Sequence, residues 1–416
     1  MIRFETIATT DGFAALKPCW DRLAAAGGAV HMFQNFDWPW RAWTCMGCHS
    51  GATLNILVGR VDGAVVLIWP LVRHRRGLRF VSTDMTEYHD VVVAPSPAGD
   101  AWMDAAWTVL RRTSGVDVVY FHDVLADSHL ARLLARHGPA NYRMERHSWV
   151  VRLDGWDWHG YFATRGAALR ADQRRQWKRL AELPGPAAYH EITSLAGALA
   201  SVDWFFAHKL AWLEARGMRA GVFGSAPHRA FVRAMVADGH AAGTLISGQL
   251  RAGATILSAG YGFAAGDGFM FYQFAYDRAY ARLSPSRLLL ERLMQACFRR
   301  GLRRFDFLPG DMAYKGLWAT ERPAIADHFL ALTAVGRLKL HLNARLIGGM
   351  AKRTWLVRQY RRLPARLRHA IRWKFLPNID YSADIRSSPA ASDADAIKDA
   401  APGADAIQDA AARPPR

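Results

Sequence analysis

The sequence has few cysteines and no long apolar run, and both absences limit what the chain can be. Only four of its 416 residues are Cys, which suits a reducing compartment and excludes a disulfide framework. The first residues, MIRFETIATTDGF, lack the basic and apolar regions of a secretory signal. No stretch of about 18 uncharged apolar residues occurs, so we expect no transmembrane helix. These features together predict a cytoplasmic protein.

Ligands at metal-binding spacing are also missing. Cys45-Met46-Gly47-Cys48-His49 matches the pattern of covalent haem attachment, but that chemistry requires export. No second Cys or His pair stands at zinc-like spacing, and no H-E-x-x-H motif occurs. We therefore interpret Cys45 and Cys48 as ordinary thiols at a helix end, and we expect no metal.

Acidic residues are in the minority. The chain has 54 Lys and Arg against 36 Asp and Glu, a formal charge of +18. A net positive charge favours an anionic partner. Composition alone does not choose among nucleic acid, a lipid surface and a phosphorylated ligand such as coenzyme A. Hydrophobic residues make up 51% of the chain and charged residues 22%. This composition and length predict two folded domains with appendages.

The order of predicted elements is similar in the two halves. Residues 1–150 predict helices, a hairpin turning at Asp62-Gly63, further strands, a helix and a strand. Residues 151–335 predict a long basic helix over 161–182, more helices, three strands, a helix over 284–300 and a strand over 304–308. The repeated order indicates two α/β (α+β) domains, each with a mixed, mostly antiparallel sheet.

The remaining residues differ from both halves. Residues 336–376 hold twelve basic and no acidic side chains, interleaved with Leu, Ile and Trp. This pattern predicts basic amphipathic helices that rest on anionic lipid, or whose apolar residues dock on the second domain. Residues 377–416 are rich in Ala, Asp, Pro and Ser and predict a disordered tail.

The most informative segment runs from the predicted strand 269–276 into the helix that follows it. Ser284 suits the N-cap position and Pro285 the first helical position. The free backbone N–H groups of a helix N-terminus attract anions, and Arg282 and Arg287 add positive charge on either side. The segment therefore predicts a pyrophosphate site, although a plain strand–turn–helix would have the same local sequence.

Several motifs together resemble a known family. They are Tyr276-Asp277, Ser284-Pro285-Ser286-Arg287-Leu288-Leu289-Leu290, Phe305-Asp306-Phe307, Gly310-Asp311 and Tyr314-Lys315-Gly316-Leu317-Trp318. Over roughly residues 30–335 the chain resembles the GNAT-like acetyltransferases of polysaccharide and cellulose biosynthesis clusters, called CelD/BcsL-like, which are relatives of FemAB-type transferases. One departure is Ser286, where the family usually has Gly.

The resemblance implies direct acyl transfer from acetyl-CoA or another acyl-CoA to an amine or hydroxyl of a small or saccharide acceptor. It implies Asp306 as the base, Tyr314 as the acid and Lys315 as an electrostatic or phosphate partner. The residues it implies for CoA binding are Arg282, Ser284, Pro285, Ser286, Arg287 and Leu288. From the residues alone, Asp306 could equally cap a turn, Tyr314 pack in the core and Lys315 lie in solvent.

Two other functions stay open. A FemAB-like aminoacyl transferase would use charged tRNA, which the basic composition permits. The chain has no long heptad segment for the helical arm frequent in that group, so we expect acyl-CoA and not nucleic acid. A catalytically idle, membrane-associated scaffold is the other alternative. The basic helix carrying Arg174, Arg175, Lys178 and Arg179 is either a solvated face or a site for an anionic acceptor.

Overall fold

The computed structural model describes residues 1–351 except 29, 30, 83, 84, 114, 139, 140, 219 and 311, with the backbone alone at 28 and 343–351. The predictions for residues 352–376 and for the tail 377–416 lie outside the described residues, as does Asp311. No helix of the described part is both long enough and apolar enough to cross a membrane.

The described residues form sixteen strands and twelve α-helices. The strands are β1 Arg3–Ile7, β2 Thr53–Leu54, β3 Ile56–Val61, β4 Ala64–Trp69, β5 Leu71–His74, β6 Gly77–Phe80, β7 Val92–Val93, β8 Val118–Leu125, β9 Tyr142–His147, β10 Val150–Arg152, β11 Ala187–Glu191, β12 Leu245–Ala252, β13 Thr255–Ala265, β14 Gly268–Tyr276, β15 Arg304–Asp306 and β16 Ala324–Ala331. The helices are α1 Thr10–Ala15, α2 Lys17–Leu23, α3 Asp37–Cys45, α4 Gly99–Arg111, α5 His129–Arg136, α6 Trp158–Ala163, α7 Ala167–Ala181, α8 Leu195–Ala215, α9 Ala226–Ala241, α10 Pro285–Arg299, α11 Ala313–Trp318 and α12 Ala334–Ala351.

The strands form three mixed sheets, which confirms the predicted fold class. The first half contributes a sheet of order β1-β3-β4-β7 and most of a second sheet of order β2-β5-β6-β8-β16-β9. The third sheet, of order β10-β15-β14-β13-β12-β11, belongs to the second half. Among the strand pairs of the described residues, β6–β8 and β14–β15 are parallel and the others antiparallel. The two halves thus have similar architectures, each with one parallel pair.

Local sequence signals account for several of these elements. The hairpin between β3 and β4 turns at Asp62 and Gly63, whose φ angles are 49° and 83°. Such a tight turn needs two positive φ values, and Asp-Gly supplies them at little cost. The strand–turn–helix–strand order of β14, α10 and β15 is also as predicted, and β15 pairs directly beside β14.

Other elements differ from the prediction. The helix predicted over 161–182 is two helices, α6 and α7, separated at residues 164–166. The edge strands β9 and β11 were not predicted, because their polar residues give no clear alternation. Strand β16 was also missed, although it is almost entirely buried. It falls inside the predicted second domain but pairs with β8 and β9 of the first half, so the chain crosses back between the halves.

The two halves share a hydrophobic core, which fixes the second-half sheet against α3. Trp38 of α3 lies edge-on to Phe231 of α9 and to Tyr272 of β14, with ring centroids 5.2 and 5.1 Å apart. Nearby, Arg41 of α3 donates two hydrogen bonds of 2.7 and 2.9 Å to the carboxylate of Asp238. Because β14 carries part of the site described next, the first half holds that site in place.

Candidate active site

The strands β14 and β15 are paired over only three residues. Gly268, Phe269 and Met270 are in register with Arg304, Phe305 and Asp306, and β15 then ends while β14 continues to Tyr276. The chain leaves β15 through Phe307, whose N–H donates to the carbonyl of Trp149. A wedge therefore opens between the second half of β14 and the segment after β15.

A cavity of about 570 Å³ lies on one side of this wedge. Aromatic side chains of β14 form one wall, and Tyr314 and Leu317 of α11 form another. The N-terminus of α10 closes one end, and α7 covers the cavity as a roof. The residues that line it are Ala168, Leu169, Ala171, Asp172, Arg175, Gln176, Phe271, Phe274, Tyr276, Ala281, Ser284, Pro285, Ser286, Arg287, Leu290, Tyr314 and Leu317. The cavity is thus mainly apolar, with charged groups at one end.

Polar groups at the N-terminus of α10 are only partly satisfied. Ser284 occupies the N-cap position in a left-handed conformation with φ 48°, and its side chain makes no capping hydrogen bond, contrary to the predicted cap. The Oγ of Ser286 and the Nε of Arg287 are buried atoms with no hydrogen-bond partner among the described residues. Buried polar atoms are normally paired, so these two atoms are available to hydrogen-bond a polar group that enters this end of the cavity.

An acidic side chain on the roof helix faces these groups. The carboxylate of Asp172 on α7 lies 2.5 Å from the guanidinium of Arg287 and also pairs with Arg175. Gln173 of α7 donates a 2.8 Å hydrogen bond to Glu291 of α10, and Trp177 donates one of 3.0 Å to the same carboxylate. Polar contacts therefore join α7, the roof of the cavity, to α10.

The predicted phosphate-binding residues divide into three groups. Ser284, Pro285, Ser286 and Arg287 line the cavity. The side chain of Arg282 is exposed and lies outside the cavity lining. The side chain of Leu288 is fully buried in the core, which leaves only its backbone for ligand contact. On α7, Arg175 lines the cavity, whereas Arg174, Lys178 and Arg179 are exposed.

The two predicted residues of α11 point to different surroundings. Tyr314 lines the cavity, where its ring lies edge-on to Phe274 and to Phe307, each 6.1 Å away. Lys315 is buried, and its ammonium group donates to the carbonyls of Leu308 and Pro309 at 2.8 and 2.9 Å. Leu308 has a left-handed φ of 62°, which is unusual for a branched side chain. Lys315 therefore anchors the loop that follows β15.

Asp306 lies behind the wedge and not in the cavity lining. Its carboxylate accepts hydrogen bonds from the hydroxyl of Tyr88 at 2.9 and 3.0 Å and from Ser148 at 3.2 Å. The N–H of Leu308 donates a further bond of 2.7 Å. Burial raises the pKa of Asp306, and the hydrogen bonds from Leu308 and Tyr88 oppose this effect. A carboxyl group with a raised pKa accepts a proton more readily than an ordinary aspartate.

Sequence reasoning missed Tyr88, Ser148 and Asp172. Tyr88 stands in Glu87-Tyr88-His89-Asp90, a polar run directly before the apolar strand β7. Buried polar residues in such a position are a signal that could have been noticed. Ser148 carries no local signal, and Asp172 is an acid in a helix that we interpreted as uniformly basic.

A second buried polar cluster lies in the first-half sheet. His122 is 2.9 Å from both Asp123 and Asp327, and the guanidinium of Arg146 is 2.6 and 2.7 Å from the same carboxylates. His122, Asp123 and Asp327 have the ligand types and the spacing of a metal site. Burial alone would lower the pKa of His122, but the two carboxylates raise it well above its ordinary value. Two cations already balance the carboxylates, so we interpret the group as a salt-bridge cluster.

The sequence of the second half matches a family model over residues 167–316, described as an acetyltransferase (GNAT) domain. This range contains α7, the splayed pair β14–β15, α10 and most of α11, which together surround the cavity. The second half of the chain therefore contains a GNAT-type acyltransferase domain. Hereafter, the GNAT domain means residues 167–316.

Comparisons of the whole chain with solved structures give matches of low sequence identity. No curated protein matches it. The structure of FemX matches at 12% identity with a TM-score of 0.54, over 78% of this chain and 96% of FemX. A tandem GNAT protein from the clavulanic acid biosynthesis pathway is 13% identical, with a TM-score of 0.46 over 80% of this chain and 99% of its own. The C-terminal domain of a putative lysylphosphatidylglycerol synthetase from Agrobacterium fabrum is 10% identical, with a TM-score of 0.46 over 79% and 96%. At these identities the likeness to FemX concerns the fold alone.

Proposed function

We propose that the chain transfers an acyl group from an acyl-CoA to an amine or hydroxyl acceptor. One observation carries the proposal: a largely apolar cavity inside the GNAT domain ends at the N-terminus of α10, beside the unpartnered Ser286 Oγ and Arg287 Nε. The helix N-terminus and Arg287 suit the pyrophosphate of CoA. Phe271, Phe274 and Leu317 suit its pantetheine arm and an uncharged acyl group.

The reaction is a direct transfer. The acceptor nitrogen or oxygen attacks the thioester carbonyl carbon, a C–N or C–O bond forms, and the C–S bond breaks. In this proposal Asp306 receives the acceptor proton, and Tyr314 protonates the leaving thiolate. Lys315 contributes by holding Leu308 and Pro309 at the end of the wedge, together with its positive charge.

An uncharged acyl group suits the cavity better than an aminoacyl group. The free ammonium of an aminoacyl donor needs an anionic partner, and Asp172 is the single carboxylate among the described lining residues. Asp172 is already paired with Arg287 and Arg175. This charge balance favours acyl-CoA over charged tRNA as the donor. A saccharide or polysaccharide precursor as the acceptor, and the CelD/BcsL-like family itself, rest on the sequence resemblance alone.

The proposal is tested by heating the full chain with CoA, with bulk tRNA and with neither. Ligand that binds the folded state raises the unfolding temperature by mass action. We expect stabilisation by CoA at concentrations above its Kd and none by tRNA, together with thiol release from acetyl-CoA when amine or sugar acceptors are added. Stabilisation by tRNA alone would favour the aminoacyl transferase. No response to either ligand and no thiol release would leave the scaffold function.

We further propose that the protein works in the cytoplasm, at the surface of an anionic membrane reached through residues 336–376. In the described part of this region, Leu338 and Leu342 of α12 are 59% and 44% exposed, and Val335, directly before this region, is 52% exposed. Exposed apolar residues beside a basic segment favour interfacial binding. Vesicle sedimentation tests this: binding to phosphatidylglycerol vesicles that Leu338→Asp weakens supports it, and equal binding to neutral vesicles overturns it.

A further inference from the structure

The carboxylate of Asp306 is held partly by groups that the GNAT domain does not supply. Tyr88 lies in the loop between β6 and β7, and Ser148 lies between β9 and β10, both outside residues 167–316. Both hydroxyl groups lie within hydrogen-bond distance of Asp306, and their oxygen atoms also lie next to each other. Tyr88 and Asp306 are 218 residues apart in sequence. The contact therefore exists only because the two halves pack together.

The loop that carries Tyr88 is fixed on several sides. The indole of Trp38 donates a 3.0 Å hydrogen bond to the hydroxyl of Thr86, and the hydroxyl of Tyr272 donates one of 3.3 Å to the carbonyl of Met85. Further along, the carboxylate of Asp90 accepts the backbone N–H groups of His129 and Leu130 at 3.0 and 2.8 Å. These contacts hold the loop in place, so the hydroxyl of Tyr88 stays next to the carboxylate of Asp306.

We propose that Tyr88 and Ser148 are positioning residues for acyl transfer. By donating to the Asp306 carboxylate they fix its orientation and favour its charged form, so the first half of the chain completes the active site. The inference rests on the proposed role of Asp306 as proton acceptor. Neither residue lines the cavity, so neither is expected to contact the acyl-CoA.

The charged and titratable groups around Asp306 support this assignment. Burial, and then the charge of Asp306, raise the pKa of the Tyr88 hydroxyl well above its ordinary value, so Tyr88 remains a donor over the working pH range. His31 lies against the Tyr88 ring, and burial lowers its pKa to about 3, so it is neutral there. Arg304 on β15 favours the Asp306 carboxylate, and Asp123 acts on Tyr88. Among these groups, Tyr88 and Ser148 are the side chains that hydrogen-bond Asp306.

The experiment compares Tyr88→Phe and Ser148→Ala with the control Tyr120→Phe. Tyr120 is also a buried tyrosine of the first half, but its hydroxyl lies 2.8 Å from His122 and not near the GNAT domain's cavity. For each variant, kcat is measured against pH, together with the KM for acetyl-CoA, the Kd of CoA by calorimetry and the unfolding temperature.

Tyr88→Phe removes a hydrogen bond that favours the charged carboxylate, so the acid limb of the kcat profile should move to higher pH. We expect kcat at pH 6 to fall by about tenfold, the size of effect that one hydrogen bond to a charged group can have. Ser148→Ala should move the limb in the same direction by less. The KM and Kd values should stay within about twofold of wild type, because the cavity is untouched. Tyr120→Phe should leave the profile unchanged.

Three results separate failure of this inference from failure of the proposed function. If the wild type binds CoA and releases thiol, but Tyr88→Phe and Ser148→Ala keep the wild-type acid limb, the positioning role is wrong and the proposed function stands. A kcat loss in Tyr88→Phe matched by Tyr120→Phe would likewise mean general loosening of the first half. If the wild type neither binds CoA nor releases thiol, the proposed function fails, and this inference fails with it.

Discussion

Asp172 and Arg287 form an ion pair of 2.5 Å that joins the roof of the cavity to the helix at its end. Their side chains are only 17% and 20% exposed. A phosphate group of bound CoA would pair with the same guanidinium. The carboxylate of Asp172 therefore both organises Arg287 and competes with an anionic ligand for it.

Replacing Asp172 with Asn should raise the affinity for CoA. The change removes the competing charge and keeps the size of the side chain, and a partly exposed ion pair contributes about 1 kcal/mol, or about fivefold in Kd. Calorimetric titration with CoA measures it. The control is Asp203→Asn, which removes an exposed ion pair to Arg233 between α8 and α9. Weaker binding in Asp172→Asn would mean that organising Arg287 matters more than competition.

Replacing Ser286 with Asp should weaken CoA binding by at least tenfold. A carboxylate at this place repels the pyrophosphate, because like charges about 4 Å apart cost about 4 kcal/mol at a protein surface. Folding should be little affected, since an acid in the first turn suits a helix dipole. Ser225→Asp is the control, at the N-cap of α9, which like α10 has a proline in its first turn. An unchanged Kd in Ser286→Asp would put the phosphate site elsewhere.

Replacing His122 with Ala should destabilise the first half without changing the Kd for CoA. Two buried carboxylates would share Arg146 alone, and breaking a buried charge group costs about 3 kcal/mol. The pKa of His122 is raised in the folded state. Its contribution is therefore full below the unfolded pKa of about 6.5 and is lost as pH rises through the folded value.

Urea unfolding at several pH values measures this contribution. The difference between wild type and His122→Ala should be largest below about pH 6.5 and decline in alkaline solution. The exposed His147 provides the control substitution His147→Ala. A difference that grows with rising pH would contradict the assignment of a protonated imidazole. Stabilisation of the wild type by added Zn²⁺ would instead indicate a metal site.

The fully buried carboxylate of Asp117 ties α12 to the first-half sheet. It accepts bonds of 2.7 Å from Arg76 and Lys339 and one of 2.9 Å from Thr333. The bond from Arg76 and, next, that from Lys339 hold the pKa of Asp117 below its usual range, although burial opposes them. Close packing adds to the attachment, since a side chain at Gly336 would collide with the Asp117 carbonyl.

Replacing Asp117 with Asn should lower stability by about 2 kcal/mol at neutral pH, the size expected for hydrogen bonds to a charged group. Because the folded pKa is depressed, the difference from wild type should be full above the unfolded pKa of about 4 and should decline as pH falls toward the folded value. Thermal unfolding between pH 2 and pH 7 tests it, with the exposed Asp127→Asn as control. A difference that does not decline at all from pH 7 to pH 2 would show that the charge of Asp117 is not the cause.

Local sequence signals determined a large share of the second half. The predicted strand 269–276 is β14, Pro285 predicted the start of α10, and both predictions hold because strand pleat and helix capping depend on near neighbours. The same signals predicted the Asp62-Gly63 hairpin. They also brought Ser284, Ser286 and Arg287 to one cavity wall, since a helix N-terminus directly after a strand leaves few other arrangements.

Only the tertiary structure decided the rest. Nothing near Tyr88 in the sequence indicates Asp306, and nothing in β16 indicates pairing with β8 and β9. The same is true of α7, whose basic pattern predicted either a solvated face or a site for an anionic acceptor and did not indicate that one side of it covers the cavity. Such contacts join residues that are far apart in the chain. Local periodicity indicates which residues are buried, but it does not indicate which distant residues they contact. They form when two halves bury their apolar faces together, and the hydrogen bonds of Asp306 are satisfied as a result.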